Sequence, residues 1–261
     1  MLFRSERCCR TRSESFGGRL VIRVVLASQS PSRRTILRDG GIDPVIIVSE
    51  VDERAIEDGF IGSVGDLTTA LSEAKARAVI DRILASTPPT LHDADTVVVI
   101  AGDSLLEFDG QAIGKPETAE RTREVWSAIA GQWTQLHSGH TVAVLSRTPQ
   151  SNVSADRPEA EGHDRVDPTD SATFELSDLR SKRSATSVLI GSPTAAELDA
   201  YIATEEPFHV AGALTIDGYG GAFVDRLDGD HLTVLGLSLP VVRELVTDMG
   251  LLWPDLWALQ R

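Results

Sequence analysis

The 261-residue chain contains only two cysteines, and they are neighbours, Cys8 and Cys9. This excludes a disulfide framework and any zinc motif built from spaced thiolates, and it favours a reducing compartment. No stretch approaches the roughly 20 consecutive apolar residues that a membrane-spanning helix needs. The sequence therefore predicts a cytoplasmic protein that does not enter a membrane.

Positive charge is also scarce, because 25 Lys and Arg stand against 39 Asp and Glu, for a formal net charge of −14. A surface that binds DNA or RNA needs a basic face to displace counterions from the phosphates. We therefore predict that nucleic acid is not a partner. A free nucleotide is different, since a local cluster of basic residues is enough for its phosphates.

The chain also lacks internal repeats, which favours one two-lobed unit. Residues 1–21 are rich in Arg and Ser and have no apolar segment of the kind found in secretory signals, so we expect a disordered leader. The region 22–261 is then a single domain. A polar stretch with Pro and Asp throughout, at about 147–172, is predicted to be a long exposed insertion.

The most informative segment is VVLASQSPSRRTIL, residues 24–37. A β-branched run ends there, Ser30 suits a helix N-cap, and Pro31 suits the first helical position. Arg33 follows in the first turn, beside backbone amides that favour an anion. This pattern predicts a phosphate site. The alternative is a capped helix whose arginines face solvent.

A second segment, residues 97–116, presents an acid and a lysine at the ends of two strands. Gly102 and Asp103 follow a hydrophobic strand, at the end of the strand where open α/β sheets bind ligands. A hairpin turn at Asp109-Gly110 then returns the chain to Lys115. The carboxylate could hold Mg²⁺ or accept a proton, and the ammonium could neutralise phosphate oxygens. Taken singly, Asp103 could cap a turn and Lys115 could be an ordinary surface lysine.

Further charged residues lie between these segments. SEVDE, residues 49–53, follows an apolar run and gathers three carboxylates that suit a hard cation, although they could equally be solvated loop acids. Residues 71–79 form an amphipathic helical pattern with Lys75 near its flank, and the pattern alone places Lys75 on a solvated face. Near the C-terminus, residues 211–216 and 222–227 are predicted to be short strands around a glycine-rich turn.

At this point the chain resembles the Maf (septum formation) proteins, a family of nucleoside triphosphate pyrophosphatases. The resemblance extends from about Val24 to the region of Gly250. It is carried by six motifs in order: LASQSP followed by Arg, SEVDE, the AKARAV helix, GDS with a downstream GKP, AGALTIDG, and DGDHLTVLGLSLP. The resemblance implies hydrolysis to the monophosphate plus diphosphate, by metal-assisted attack of water at the α-phosphate.

The resemblance also implies roles for individual residues. Asp103 corresponds to the catalytic acid, acting as base or metal ligand, and Asp52 to the acidic residue that assists a divalent metal, Mg²⁺ or Mn²⁺. The positions that match the family's phosphate-contacting side chains are Lys75, Lys115, Ser30 and Arg33, with Ser28 beside them as a hydroxyl donor. No covalent nucleophile is expected, because no histidine neighbours these serines in a triad-like arrangement.

Three positions bear on the choice of base: Ser32, Ser104 and Asp217. Members that act on dTTP and UTP have Arg, Thr and Gln there, and members that prefer 7-methyl-GTP have Trp, Gln and Glu. This chain matches neither set, although the charge of Asp217 is closer to the second. An acidic side chain accepts from a guanine edge, whereas glutamine both donates and accepts. The sequence leaves the base open.

The sequence thus predicts an α/β fold in which a long, mixed, twisted sheet is flanked by helices and a nucleotide cleft lies between two lobes. The predicted function is a nucleoside triphosphate pyrophosphatase, and the family resemblance suggests a homodimer. The alternative is a non-catalytic, nucleotide-binding regulator of cell division. A pure binder would have no reason to combine Asp103, Lys75 and Lys115.

Overall fold

A computed structural model describes residues 20–148 and 172–258 of the chain. The strands in these ranges are β1 (Ile22–Leu26), β2 (Val45–Ile46), β3 (Thr96–Phe108), β4 (Gln111–Ile113), β5 (Trp133–Arg147), β6 (Phe174–Ile190) and β7 (Val224–Asp228). The α-helices are α1 (Pro31–Asp39), α2 (Glu53–Gly59), α3 (Val64–Ala85), α4 (Ala119–Ile129), α5 (Ala195–Ala203), α6 (His231–Leu235) and α7 (Leu239–Asp248). The predicted leader, apart from its last two residues, and most of the predicted insertion lie outside the described residues.

The strands form one mixed sheet in the order β2-β1-β3-β5-β6-β7, with β4 paired to the far end of β3. β1 runs parallel to β2 and β3, whereas β3, β5, β6 and β7 pair antiparallel. This is the predicted α/β fold with a mixed sheet, and the prediction is confirmed.

Local signals in the sequence explain where several helices begin. Ser30 caps α1 by accepting from the Arg33 amide, with Pro31 in the first turn, as predicted. The long helix α3 begins with a capping box, in which Ser63 and Asp66 each satisfy the other's backbone amide.

The two faces of the sheet carry different helices. Val97, Val99 and Ala101 of β3 pack against α3. The alternate residues Val98 and Ile100 face the other way and pack against α1 and α7.

Further along that second face, a separate apolar cluster is built around α4 and α5. It joins Leu106 of β3 to Trp126, Ile129 and Tyr201. The second face therefore carries two helical layers, one at each end of the long central strands.

The prediction of a strand at 211–216 is wrong, and the prediction of a strand at 222–227 is only partly right. Ala211–Ala213 and Tyr219–Phe223 form 3₁₀ turns, and strand pairing begins only at Val224. The physical reason is the carboxylate of Glu206, which accepts hydrogen bonds from Thr215 and from backbone amides of the glycine-rich turn. These bonds fold the segment into a compact loop instead of a hairpin.

No helix in the described part of the chain combines the length and the apolar character required to cross a bilayer.

Candidate functional site

The site lies where the sheet opens between β1 and β4. β1 stops pairing with β3 at Leu26 and Ile100, whereas β4 pairs with β3 only from Leu106. The intervening edge of β3 is not covered by a described strand. Asp103 lies on this edge, and the loop that leads from β1 to α1 passes beside it.

A buried ion pair occupies the α3 side of this edge. Lys75 and Asp103 are each 6% exposed, and the Lys75 Nζ lies 2.5 Å from Asp103 Oδ1. The same ammonium lies 3.0 Å from Glu53 Oε1, at the first position of α2. The helical pattern alone had placed Lys75 on a solvated face. The structure instead directs its side chain to Asp103.

The second carboxylate oxygen of Asp103 is free to act on a ligand. Oδ2 accepts no hydrogen bond from the described residues. Lys75 thus fixes Asp103 through one oxygen and leaves the other without a partner in the described ranges.

Glu57 adds a third carboxylate near this pair. It follows Glu53 by four residues on α2, so the two share one face of that helix. Burial raises the pKa of Glu57, and the nearby charges of Asp103 and Glu53 raise it further. The surroundings of Glu57 therefore disfavour another negative charge.

The opposite face of β3 at this point carries Arg33. Its guanidinium donates to the Gly236 carbonyl at 2.9 Å, and to Ser28 Oγ and Ser104 Oγ at 3.2 Å each. Two glycines leave room for this side chain, because a Cβ on Gly102 would lie only 3.2 Å from Arg33 Nε, and Gly236 has a positive φ of 104° that favours glycine. Burial lowers the pKa of Arg33, and the charges of Asp103 and Glu53 oppose that effect.

Two predicted site residues do not join these contacts. Asp52 caps α2, and its carboxylate accepts from the Ala55 amide at 3.2 Å, so Glu53 and not Asp52 reaches the Lys75–Asp103 pair. Lys115 follows β4 with an exposed side chain, and no ion pair or hydrogen bond joins it to the rest of the described chain. Its ammonium is therefore available to contact a ligand near the end of β4.

The sequence contained a signal that separates Asp52 from Glu53. Aspartate is a favoured N-cap, and a carboxylate used for capping is bound to backbone amides. The next residue starts the helix and projects from it.

The three positions predicted to read the base are arranged in two groups. Ser32 Oγ lies 3.0 Å from Asp217 Oδ2, which joins the start of α1 to the loop that follows α5. Ser104 instead contacts Arg33 and lies 2.7 Å from Ser138 Oγ. Sequence reasoning missed Ser138, because a buried serine in the middle of a strand carries no motif.

The residues at the edge of β3 suit a hard cation that keeps other ligands. No group of three or more His, Cys, Asp and Glu within residues 20–148 and 172–258 is arranged to hold a metal by itself. Mg²⁺ is commonly held by one or two carboxylates together with water and substrate phosphates. Asp103 and Glu53 match that requirement with oxygen ligands.

Known proteins resemble this chain over most of its length. The family model described as "Maf-like protein" matches residues 23–249. A protein of Saccharopolyspora erythraea named nucleoside triphosphate pyrophosphatase is 40% identical over 237 residues, which cover 90% of this chain and 97% of the relative. Proteins with the same name from Streptomyces coelicolor and Cutibacterium acnes are 39% and 38% identical, covering 90% and 89% of this chain and 95% and 93% of their own lengths.

Proposed function

The chain belongs to the Maf-like protein family, and from that premise we propose that it is a nucleoside triphosphate pyrophosphatase. The reaction is hydrolysis of a phosphoric anhydride: water attacks the α-phosphorus, the bond to the bridging oxygen breaks, and diphosphate leaves with the electron pair. The observation that carries the proposal is the buried Lys75–Asp103 pair beside Arg33 at the open edge of β3.

This arrangement supplies what phosphoryl transfer requires, which is positioning and neutralisation of charge. Asp103 Oδ2 is available to accept a proton from the attacking water, because Lys75 occupies the other oxygen. Arg33 offers its remaining N–H groups to phosphate oxygens, with Ser28 and the capped start of α1 beside it.

Lys115 completes the proposed phosphate contacts from the rim, where its ammonium is exposed and can approach a bound triphosphate. A divalent cation, Mg²⁺ or Mn²⁺, would be held by Glu53 together with the substrate phosphates, since the free oxygen of Asp103 is the proposed proton acceptor. When bound, it supplies charge neutralisation at the phosphate oxygens. Asp52 acts indirectly in this proposal, by capping the helix that presents Glu53.

We also propose that the protein acts as a homodimer, as the family resemblance suggests, and that it acts in the cytoplasm, as its cysteine content indicates. A molar mass twice the 28.1 kDa of the chain, measured by light scattering, is the result that the homodimer requires.

The decisive experiment incubates the purified protein with Mg²⁺ or Mn²⁺ and a panel of canonical and modified nucleoside triphosphates. Pyrophosphate and orthophosphate are measured separately. We expect pyrophosphate and nucleoside monophosphate in equal amounts. Tight nucleotide binding without pyrophosphate release would instead favour the non-catalytic regulator of cell division.

Asp103→Asn tests the assignment of the base. We expect turnover to fall by about 10³-fold, because the amide cannot accept the proton, while nucleotide affinity stays within about tenfold. Asp109→Asn is the matched control, since it removes the same charge from the exposed turn between β3 and β4. Normal turnover in Asp103→Asn would show that another group is the base.

A further inference from the structure

Arg33 is held by a chain of hydroxyl groups whose hydrogen-bond directions can be deduced. The chain ends at the backbone carbonyl of Thr233, which can only accept. Ser138 Oγ lies 2.8 Å from that oxygen, and Ser138 is fully buried. A serine has one hydroxyl proton, so the proton of Ser138 is committed to Thr233.

The direction of the next hydrogen bond follows. Ser104 Oγ lies 2.7 Å from Ser138 Oγ, and since Ser138 has no second proton, Ser104 must be the donor. Ser104 can then only accept from its other neighbour, and Arg33 Nη2 donates to it at 3.2 Å. Guanidinium nitrogens only donate and a carbonyl only accepts, so Arg33 and Thr233 both require the same direction for this series of hydrogen bonds.

Ser28 also contacts Arg33, but unlike Ser104 it does not donate its hydroxyl proton to another described residue. Its Oγ accepts from the Ser30 amide and from Arg33 Nη1, each at 3.2 Å. These two bonds use both of its lone pairs. Its hydroxyl proton has no acceptor within the described ranges, and this proton remains available to a ligand.

We propose that Ser138 positions Arg33 through Ser104, so that Ser104 holds the guanidinium and does not read the base, while Ser28 is the serine that donates to substrate phosphate. The inference deepens the proposed function and rests on it for the identity of the ligand. It changes the role that the sequence gave to Ser104.

The geometry explains why fixing these directions matters. Three of the five N–H groups of Arg33 are used by Gly236, Ser28 and Ser104. The two that remain, one on each terminal nitrogen, are left for an anion. Without Ser138, the Ser104 hydroxyl can turn its proton toward Arg33, and the guanidinium loses a fixed acceptor.

The test combines Ser138→Ala with Arg33→Lys, because lysine keeps the charge but lacks the planar fork. Inorganic pyrophosphate serves as the probe, with its dissociation constant measured by calorimetry, alongside kcat/KM for the best substrate. We expect Ser138→Ala to weaken both by about fivefold to tenfold in the native background, and by less than twofold in the Arg33→Lys background.

Thr134→Val is the matched control, since Thr134 is also buried on β5 and donates to a backbone carbonyl, that of Val188. This variant should lower stability without changing kcat/KM. If the Ser138→Ala loss is the same size in the Arg33→Lys background, Ser138 does not act through Arg33 and the proposal is wrong.

Base selectivity provides a second readout. Ser104→Ala should reduce kcat/KM by the same factor for every nucleotide, and Ser104→Thr, which keeps a hydroxyl, should recover part of that loss. A changed ratio between purine and pyrimidine substrates would return Ser104 to base recognition and overturn the proposal.

Failure of the proposed function gives a different pattern. If the protein binds pyrophosphate but releases none from nucleotides, and Ser138 is still coupled to Arg33, the positioning proposal holds and only the proposed enzymatic function is wrong.

Discussion

Asp217 lies on an exposed turn, yet its carboxylate is held in one place. Ser32 donates to its Oδ2 from the start of α1. The loop itself is fixed by Glu206, which accepts from the amides of Tyr219 and Gly220. Burial would raise the pKa of Glu206, but these bonds and that of Thr215 lower it, so the loop is fastened by an ionised carboxylate.

We propose that Asp217, held in this way, distinguishes bases by its hydrogen-bond pattern. We predict that Asp217→Gln shifts preference toward pyrimidine triphosphates, because the amide donates as well as accepts. The ratio of kcat/KM between purine and pyrimidine substrates measures the shift. Asp228→Gln, an exposed carboxylate at the end of β7, is the control. An unchanged ratio would remove Asp217 from base recognition.

At the scale of elements, α3 lies directly on β5, and Gly139 permits this approach. A Cβ at Gly139 would lie 2.2 Å from the Thr68 carbonyl oxygen of α3. The helix carries Lys75, and Gly139 pairs with Asp103 across the sheet. The close packing of helix and strand therefore sets the separation of Lys75 and Asp103.

We predict that Gly139→Ala destabilises the protein by about 3 kcal/mol, since backbone atoms must move to admit one methyl group. Urea denaturation measures the loss, and activity should fall as α3 lifts from Asp103. Gly59→Ala, at a site with no atom within 4 Å of the added Cβ, should cost nothing or stabilise slightly. Equal stability of the two variants would contradict this packing.

His140 joins β5 to the start of α7. It is fully buried, its Nε2 accepts from the Ser238 amide at 2.8 Å, and its Nδ1 faces the Lys182 carbonyl at 3.3 Å. The neutral ring with the proton on Nδ1 satisfies both contacts. Burial lowers the pKa of His140 from 6.5 to about 4, and the charge of Arg33 lowers it as well.

Acid should therefore destabilise the fold through His140. Between pH 6.5 and about 4 the unfolded chain binds a proton that the folded chain excludes, so stability is lost as the pH falls through this range. The loss attributable to this residue is about 3 kcal/mol. Urea denaturation from pH 7 to pH 4 should show a smaller loss for His140→Gln than for the native chain. Parallel curves would mean that His140 does not couple folding to pH.

At the scale of the whole molecule, β3, β5 and β6 are long enough to run through both helical layers of one face. Along that face β3 changes from Val98 and Ile100 to Gly102 and Ser104, and then to Leu106. The neighbouring strand makes the same change, with Ser138 and His140 between apolar residues. This polar belt, the residues 102, 104, 138 and 140, separates the two apolar clusters and holds Arg33.

Because the strands are continuous, we predict one cooperative unfolding transition, although this face of the sheet carries two apolar clusters. Leu37→Ala removes a fully buried side chain from the cluster of α1 and α7 and should cost about 3 kcal/mol. In a variant whose only tryptophan is Trp126, fluorescence reports the other cluster, which contains α4 and α5. Circular dichroism and this fluorescence should shift together, and separate midpoints would indicate two units that unfold independently.

The sequence by itself determined the elements whose causes are local. The cap at Ser30, the proline after it, the apolar strand before Asp103 and the hairpin turn at Asp109 are set by residues close in the chain, so α1 and the β3–β4 hairpin could be predicted. Motif order likewise indicated the family.

Only the tertiary structure decided which of these residues meet. Lys75 has the pattern of a solvated face, and it enters the site because α3 packs on the face of the sheet that carries Asp103. Glu53, and not Asp52, contacts Lys75, because the carboxylate of Asp52 caps α2 and accepts from the Ala55 amide. The polarity of the Ser104–Ser138 bond depends on the carbonyl of Thr233, 95 residues from Ser138 along the chain. Hydrogen-bond partners this distant leave no periodic trace in a sequence, because their spacing is set by strand register and helix packing.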